Sequence, residues 1–145
     1  MMNSKQVKHL LQQKAKNLFT VAPDMLVFDA IQLMVDKNLG SLLVVKDGKF
    51  AGLFTERDYT RKVIVKGRSS REITVGEIME THPSTISSDD NISDCMSKMT
   101  GGVRYLPVLD NGELIGLVSI GDLVKFIIEE QKNIIDNLQD YITRG

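Results

Sequence analysis

What the chain has little of narrows it first. Its 145 residues include one cysteine, Cys95, so no internal disulfide can form and folding needs no oxidising compartment. No apolar run approaches the roughly 20 residues of a membrane span, and the N-terminus shows no signal-peptide core, so the chain is expected to be cytoplasmic and not bound to membrane. The formal net charge is −1, so the basic excess typical of a non-specific nucleic-acid binder is missing. His9 and His82 have no Cys, His or carboxylate at metal-ligand spacing, and no nucleophile stands beside a base, so neither a metal nor an enzymatic site is expected.

What remains is an ordinary globular composition, 42% hydrophobic and 26% charged, in a chain long enough to bury a core without staples. Cys95 falls on the predicted helix Ile92 to Met99 and reads as a small buried apolar residue rather than a reactive thiol.

Taken in order, Ser4 to Lys16 predicts a short amphipathic helix, with Val7, Leu10 and Leu11 at helical spacing. Leu18 to Val21 predicts a strand and Pro23-Asp24 a turn. Val27, Ala30, Ile31, Met34 and Val35 form one predicted buried helix face, which Gly40 closes. Two apolar runs, Leu42 to Val45 and Phe50 to Phe54, are joined by Asp47-Gly48, the chemistry of a tight antiparallel hairpin. After Thr55 a helix is predicted to about Lys66, with Tyr59, Val63 and Ile64 inward. Lys66 to Arg71 reads as a solvated linker, the rival being a loop folded over an anionic ligand.

Beyond the linker the order repeats. Val75 to Met79 answers Val7 to Leu11, and Ser84 to Ser88 answers Phe19 to Pro23. Ile92, Cys95, Met96 and Met99 answer Val27, Ala30, Ile31 and Met34, 65 residues on (92 − 27). The second hairpin, Leu106 to Leu117 around Asn111-Gly112, answers the first 64 residues on (116 − 52), so one residue is lost between Met99 and Val103. A repeat kept through strand, turn and helix implies two stacked units, 1–68 and 69–145. The last helix carries apolar residues on through Leu123, Phe126, Ile127, Ile134, Ile135, Leu138 and Ile142, more than one small unit can cover, so a partner subunit is expected there.

Each hairpin ends in one motif: Gly52-Leu53-Phe54-Thr55-Glu56-Arg57-Asp58, then Gly116-Leu117-Val118-Ser119-Ile120-Gly121-Asp122. A hydroxyl followed three residues later by an acid is the capping-box pattern. The same pair can also hold a nucleotide. The carboxylate accepts from the two vicinal hydroxyls of a ribose, and the hydroxyl at the helix start holds a phosphate oxygen beside unpaired N–H groups. One occurrence favours the cap, whereas two in register favour the clamp.

These residues, with Thr20 to Asp24 and Arg104-Tyr105-Leu106-Pro107-Val108, resemble the cystathionine-β-synthase (CBS) domain as a tandem pair covering essentially the whole chain. The resemblance implies an α/β (α+β) fold of two βαββα repeats, packed with pseudo-two-fold symmetry into a disc. It also implies a homodimer of such discs and a sensor or regulatory role toward an unidentified protein. The implied ligand is an adenine nucleoside or nucleotide, among AMP, ADP, ATP, NAD(H) and S-adenosylmethionine. By position Thr20, Val21, Ser41 and Leu42 would line the first cleft, with Thr55, Arg57, Asp58 and Arg61. Thr85, Ile86, Arg104, Tyr105, Leu106 and Pro107 would line the second, with Ser119 and Asp122. Arg104 stands where family members often carry a basic residue toward phosphate, and Gly40 is its counterpart. Gly121 stands where Arg57 does, so the two sites differ, one suiting a mononucleotide and the other a longer or differently charged adenine ligand. Two alternatives remain: an interaction module with empty clefts whose motifs are only caps, and an enzyme of nucleotide chemistry.

Overall fold

A computed structural model describes residues 5–14 and 18–144, the side chains of 140–144 excepted. The ends of the predicted first helix, Ser4 and Lys16, lie outside the described residues. The described elements run α1 (Val7–Gln13), β1 (Thr20–Val21), α2 (Val27–Lys37), β2 (Ser41–Lys46), β3 (Lys49–Thr55), α3 (Glu56–Tyr59), then a π-helical stretch (Thr60–Ile64). They continue with α4 (Val75–Ile78), α5 (Ile92–Thr100), β4 (Tyr105–Asp110), β5 (Glu113–Ser119) and α6 (Ile120–Arg144).

The two hairpins are near copies. β2 and β3 pair antiparallel with Ser41 opposite Thr55, and β4 and β5 pair with Tyr105 opposite Ser119. Each register shifts at the same place, between Val44 and Val45 and between Val108 and Leu109. Both two-residue turns, Asp47-Gly48 and Asn111-Gly112, have positive φ throughout (52° and 76°, 53° and 81°), the backbone that matches the twist of the flanking strands. The strand ahead of each hairpin is weaker. β1 adds two residues in parallel to β2, and its counterpart shrinks to a single Ile86–Val108 bridge. Side chains make up the difference: the Asp110 carboxylate accepts from the Ser87 and Ser88 hydroxyls and the Ser88 N–H, at 2.6 to 3.0 Å.

Two apolar clusters form the core, and each takes its leading helix from the other repeat. Val7 and Leu10 of α1 are buried with Ile86, Ile92, Cys95, Leu106, Val118 and Phe126 of the second unit. Val75 and Ile78 of α4 are buried with Val21, Val27, Met34, Leu42 and Phe54 of the first. Backbone bonds follow the same crossing: Val7 N–H donates to Asp90 C=O at 2.8 Å, and Val75 N–H to Met25 C=O at 2.8 Å. This reciprocity is what a pseudo-two-fold axis between the units requires.

The motif glycines admit these crossing segments. A Cβ on Gly52 would lie 2.7 Å from the Glu80 carbonyl oxygen, and one on Gly116 would lie 2.9 Å from a Leu11 methyl. Neither distance is sterically open, so the glycine records a close approach rather than a turn.

Three readings of the sequence need correction. α2 ends at Asn38, whose left-handed φ of 55° lets its N–H reach the Met34 and Val35 carbonyls, so Asn38 and not Gly40 closes the helix. Val35 is 73% exposed, because the buried stripe is the narrower Val27, Ala30, Met34 row. The helix after Thr55 does not run regularly to Lys66. It widens into the π stretch, where Val65 N–H bonds to Thr60 C=O. The wider turn keeps Val63 buried and leaves Ile64 56% exposed. The linker is solvated as expected, residues 66–69 and 71 being exposed; it is anchored to α2 by the Arg71 guanidinium, 4.0 Å from the centre of the Phe28 ring, and by Ser70 C=O, which accepts from Phe28 N–H.

Cys95 is fully buried, and its thiol pKa is pushed up to about 11, first by burial and then by the Asp90 and Asp94 carboxylates. The stability gained by holding it neutral is complete below the unfolded thiol pKa of about 8.5. It is lost as pH rises toward 11. Iodoacetamide at about pH 8 is expected to spare Cys95 in the folded chain and to alkylate it in urea. Folded-state labelling within tenfold of the unfolded rate would contradict this.

Candidate functional site

A cleft of about 1030 Å³ lies between the two units. One wall is the start of α3, with Thr55, Glu56, Arg57, Asp58, Arg61 and Lys62, and the other comes from 80–84 and 102–105. Thr55 and Asp58 form a reciprocal cap. Asp58 Oδ2 accepts from Thr55 N–H at 3.0 Å and from the Thr55 hydroxyl at 3.1 Å, and Thr55 Oγ1 accepts from Asp58 N–H at 3.2 Å. Asp58 Oδ1 faces Lys62 Nζ at 3.2 Å. A carboxylate offers about four lone-pair sites, and these contacts engage three, so the cap does not exhaust Asp58.

The cleft joins groups that the sequence left apart. Arg104 and Tyr105 line it beside Thr55, Arg57, Asp58 and Arg61, rather than joining Ser119 and Asp122 in the second. Gly40 explains the seat of Tyr105: a Cβ there would fall 1.9 Å from the Tyr105 hydroxyl oxygen, so the ring end occupies the space that the glycine leaves. Burial raises the Tyr105 hydroxyl pKa, with a smaller push from the Glu56 carboxylate, and Arg104 partly opposes both. The lining holds four cations, Arg57, Arg61, Lys62 and Arg104, against three carboxylates, Glu56, Asp58 and Glu80. His82, Pro83, Ser84, Gly102 and Val103 complete it; sequence reasoning missed them because they are loop residues whose part depends on the crossing of the units.

The counterpart around Ser119 and Asp122 is built differently. Asp122 Oδ2 accepts from Ser119 N–H at 2.9 Å, and Ser119 Oγ accepts from Asp122 N–H at 3.1 Å, so this motif also caps its helix. The same carboxylate oxygen accepts from Lys14 Nζ at 2.7 Å, and Lys14 Nζ also donates to Leu117 C=O at 2.7 Å. Burial pushes the Asp122 carboxyl up, and Lys14 with Ser119 more than offsets this, so it titrates below the usual carboxylate range. Ser41 lines a cavity of about 350 Å³ here, with Lys14, Leu39 and Leu117. The heads of the two hairpins therefore serve opposite clefts.

The other expected site residues lie elsewhere. Val21 and Leu42 are in the first core cluster, and Ile86 and Leu106 in the second. Pro107 is buried, its C=O accepting from Ile86 N–H, and Thr85 C=O accepts from the Lys98 ammonium. Thr20 is exposed on β1, and Gly121 faces a groove of about 570 Å³ along α6 with Val124 and Ile128. Among the described residues no group of three or more His, Cys, Asp or Glu could hold a metal, and no helix is long and apolar enough to cross a membrane.

Two strand–helix–hairpin–helix repeats, with exchanged leading helices and a cleft of about 1030 Å³ between them, define a tandem-repeat pair module. The chain belongs to the CBS-domain family, whose model matches residues 7–64 and 75–129. It is 41% identical over 125 residues to the mitochondrial CBS domain-containing protein CBSX3 of Arabidopsis thaliana, a match covering 82% of this chain and 61% of that relative. The fold matches a crystal structure of the CBS domain NE2398 with TM-score 0.81 at 46% identity, covering 86% of this chain and 98% of that one. At 24% identity and TM-score 0.75, covering 88% of this chain and 99% of the other, it also shares the fold of CBSX2, a structure of that protein in complex with AMP.

Proposed function

We propose that the chain is a non-enzymatic regulatory module that binds a phosphorylated adenine nucleotide in the Thr55–Asp58 cleft and passes the ligand state to a partner protein. The observation that carries this is the convergence, in one cleft of about 1030 Å³, of Asp58 with Arg57, Arg61 and Arg104 from opposite repeats. A carboxylate selects the ribose diol, and guanidinium groups match phosphate oxygens. The excess of one cation in the lining favours anionic ligands, AMP, ATP or NAD(H), over the positively charged S-adenosylmethionine. That a protein of the same fold holds AMP agrees with the reading. Because arms of both repeats, 1–68 and 69–145, meet at the cleft, a ligand there favours one packing of the repeats over another and so shifts their equilibrium. The exposed apolar row of α6, Val124, Ile128, Ile135 and Leu138, supplies a surface for a second copy, giving a homodimer.

Calorimetric titration with AMP, ATP, NADH and S-adenosylmethionine tests this. The anionic ligands are expected to bind more tightly than about 1 mM and to raise the melting temperature by mass action, with S-adenosylmethionine weaker. No binding by any of the four would reject the reading. One observation favours a second reading, an interaction module with empty clefts: both motifs are complete caps without ligand. That module melts at the same temperature with or without nucleotide.

A further inference from the structure

The two clefts are related by the repeat, yet among the described residues the second is divided where the first is continuous. Around Asp122 the space divides into cavities of about 350 and 380 Å³, and Lys14, Phe19 and Leu39 line both. Lys14 reaches this place from the end of α1. Its counterpart 68 residues on (82 − 14, as 75 − 7) is His82, which lines the first cleft and bonds to the neighbouring Thr81 hydroxyl.

The source of charge beside each motif aspartate differs as well. Asp58 has Lys62 one turn along its own helix, so that pair stays on one wall of the cleft. Sixty-four residues on (126 − 62), the corresponding residue is Phe126, which is buried in the core; Lys125 beside it lines the cavity, but the cation bonded to Asp122 is Lys14. The cation comes instead from across the cleft. Beneath it, Leu117 C=O accepts the Lys14 ammonium, whereas the matching Leu53 C=O accepts the backbone N–H of Glu80 at 2.9 Å. α1 continues as helix to Gln13 where its counterpart α4 stops at Ile78, so the lysine side chain reaches where the other repeat uses backbone.

We infer that Lys14 is a specificity-determining residue: a tethered cation that occupies the Asp122 ribose acceptor and divides the second cleft, so the chain binds one nucleotide and not two. This rests on the nucleotide reading proposed above for the first cleft. An entering ribose must displace a charge-assisted bond to Asp122 made by a group covalently held beside it, and such a tethered competitor acts at high effective concentration. Lys14 and Asp122 side chains are 32% and 28% exposed, which limits the screening of the pair by solvent.

The test is calorimetric titration of the wild type and of Lys14→Met, which keeps the apolar stem and removes the charge, each with AMP. The wild type is expected to bind one AMP per chain, with any second event at least about tenfold weaker. Lys14→Met is expected to bind two, the second within about tenfold of the first, and Lys14→Met/Asp122→Ala to return to one. Melting curves for each variant establish that it is folded; Lys14→Gln replaces Lys14→Met should the latter not fold. One AMP per chain in both wild type and Lys14→Met overturns the role of Lys14 and leaves the first-cleft reading standing. Two per chain in the wild type, or loss of a site in Lys14→Met, also overturns it. Absence of AMP binding in every form overturns this inference, and the nucleotide reading falls with it only when ATP, NADH and S-adenosylmethionine also fail to bind.

Discussion

Leu10→Ala is expected to destabilise the chain by about 2–5 kcal/mol, the range for truncating a well-packed core leucine, and to loosen the second repeat although Leu10 belongs to the first. Leu10 is 2% exposed and packs in the cluster of Ile92, Cys95, Leu106, Val118 and Phe126. Its counterpart Ile78 is equally buried, with Val27, Met34, Leu42 and Phe54. Ile78→Ala is therefore expected to cost a similar amount and to loosen the first repeat. Urea denaturation gives the loss of stability, and amide hydrogen exchange gives its place. Leu10→Ala should speed exchange at Leu106 and Val118 more than at Leu42 and Phe54, and Ile78→Ala should do the reverse. If Leu10→Ala instead loosened Leu42 and Phe54 first, the exchange of leading helices would be wrong.

That crossing also explains what could be read from the sequence. The repeat, both hairpins and the two motifs follow from local chemistry: Asp47-Gly48 and Asn111-Gly112 fix turn and register, and a hydroxyl with an acid three residues on fixes a cap. Which unit each segment packs on is a long-range matter that spacing does not carry. Its place in the chain therefore groups Arg104 with Asp122, although it lines the same cleft as Asp58. Nothing near Lys14 in the sequence marks it for the same reason, since its partner Asp122 is 108 residues away. Val35 and Ile64 failed differently. Both lie beside a buried residue at helical spacing, and the ends of short helices leave such positions without a neighbour to cover them.

Asp58→Ala separates the two tasks that the motif aspartate is given. As a cap, Asp58 accepts from Thr55 N–H and the Thr55 hydroxyl at 3.0 and 3.1 Å. Losing a cap costs about 0.5–2 kcal/mol of stability and leaves ligand affinity untouched. As a ribose acceptor, it would make two charge-assisted bonds worth about 1.5–3 kcal/mol each, and its side chain is only 13% exposed, so little of that is screened. Losing both is expected to weaken AMP binding by about 100-fold or more. One effect opposes this: without Asp58, the Lys62 ammonium loses its carboxylate partner, keeps its bond to Ile78 C=O, and draws phosphate more strongly. A ligand lacking the 2′-hydroxyl isolates the ribose bond from that change. 2′-deoxy-AMP is expected to bind the wild type at least about tenfold more weakly than AMP, and to bind Asp58→Ala about as well as AMP does, so that the two losses do not add. Fully additive losses in this cycle would mean that Asp58 never meets the ribose and acts at the helix start as a cap alone.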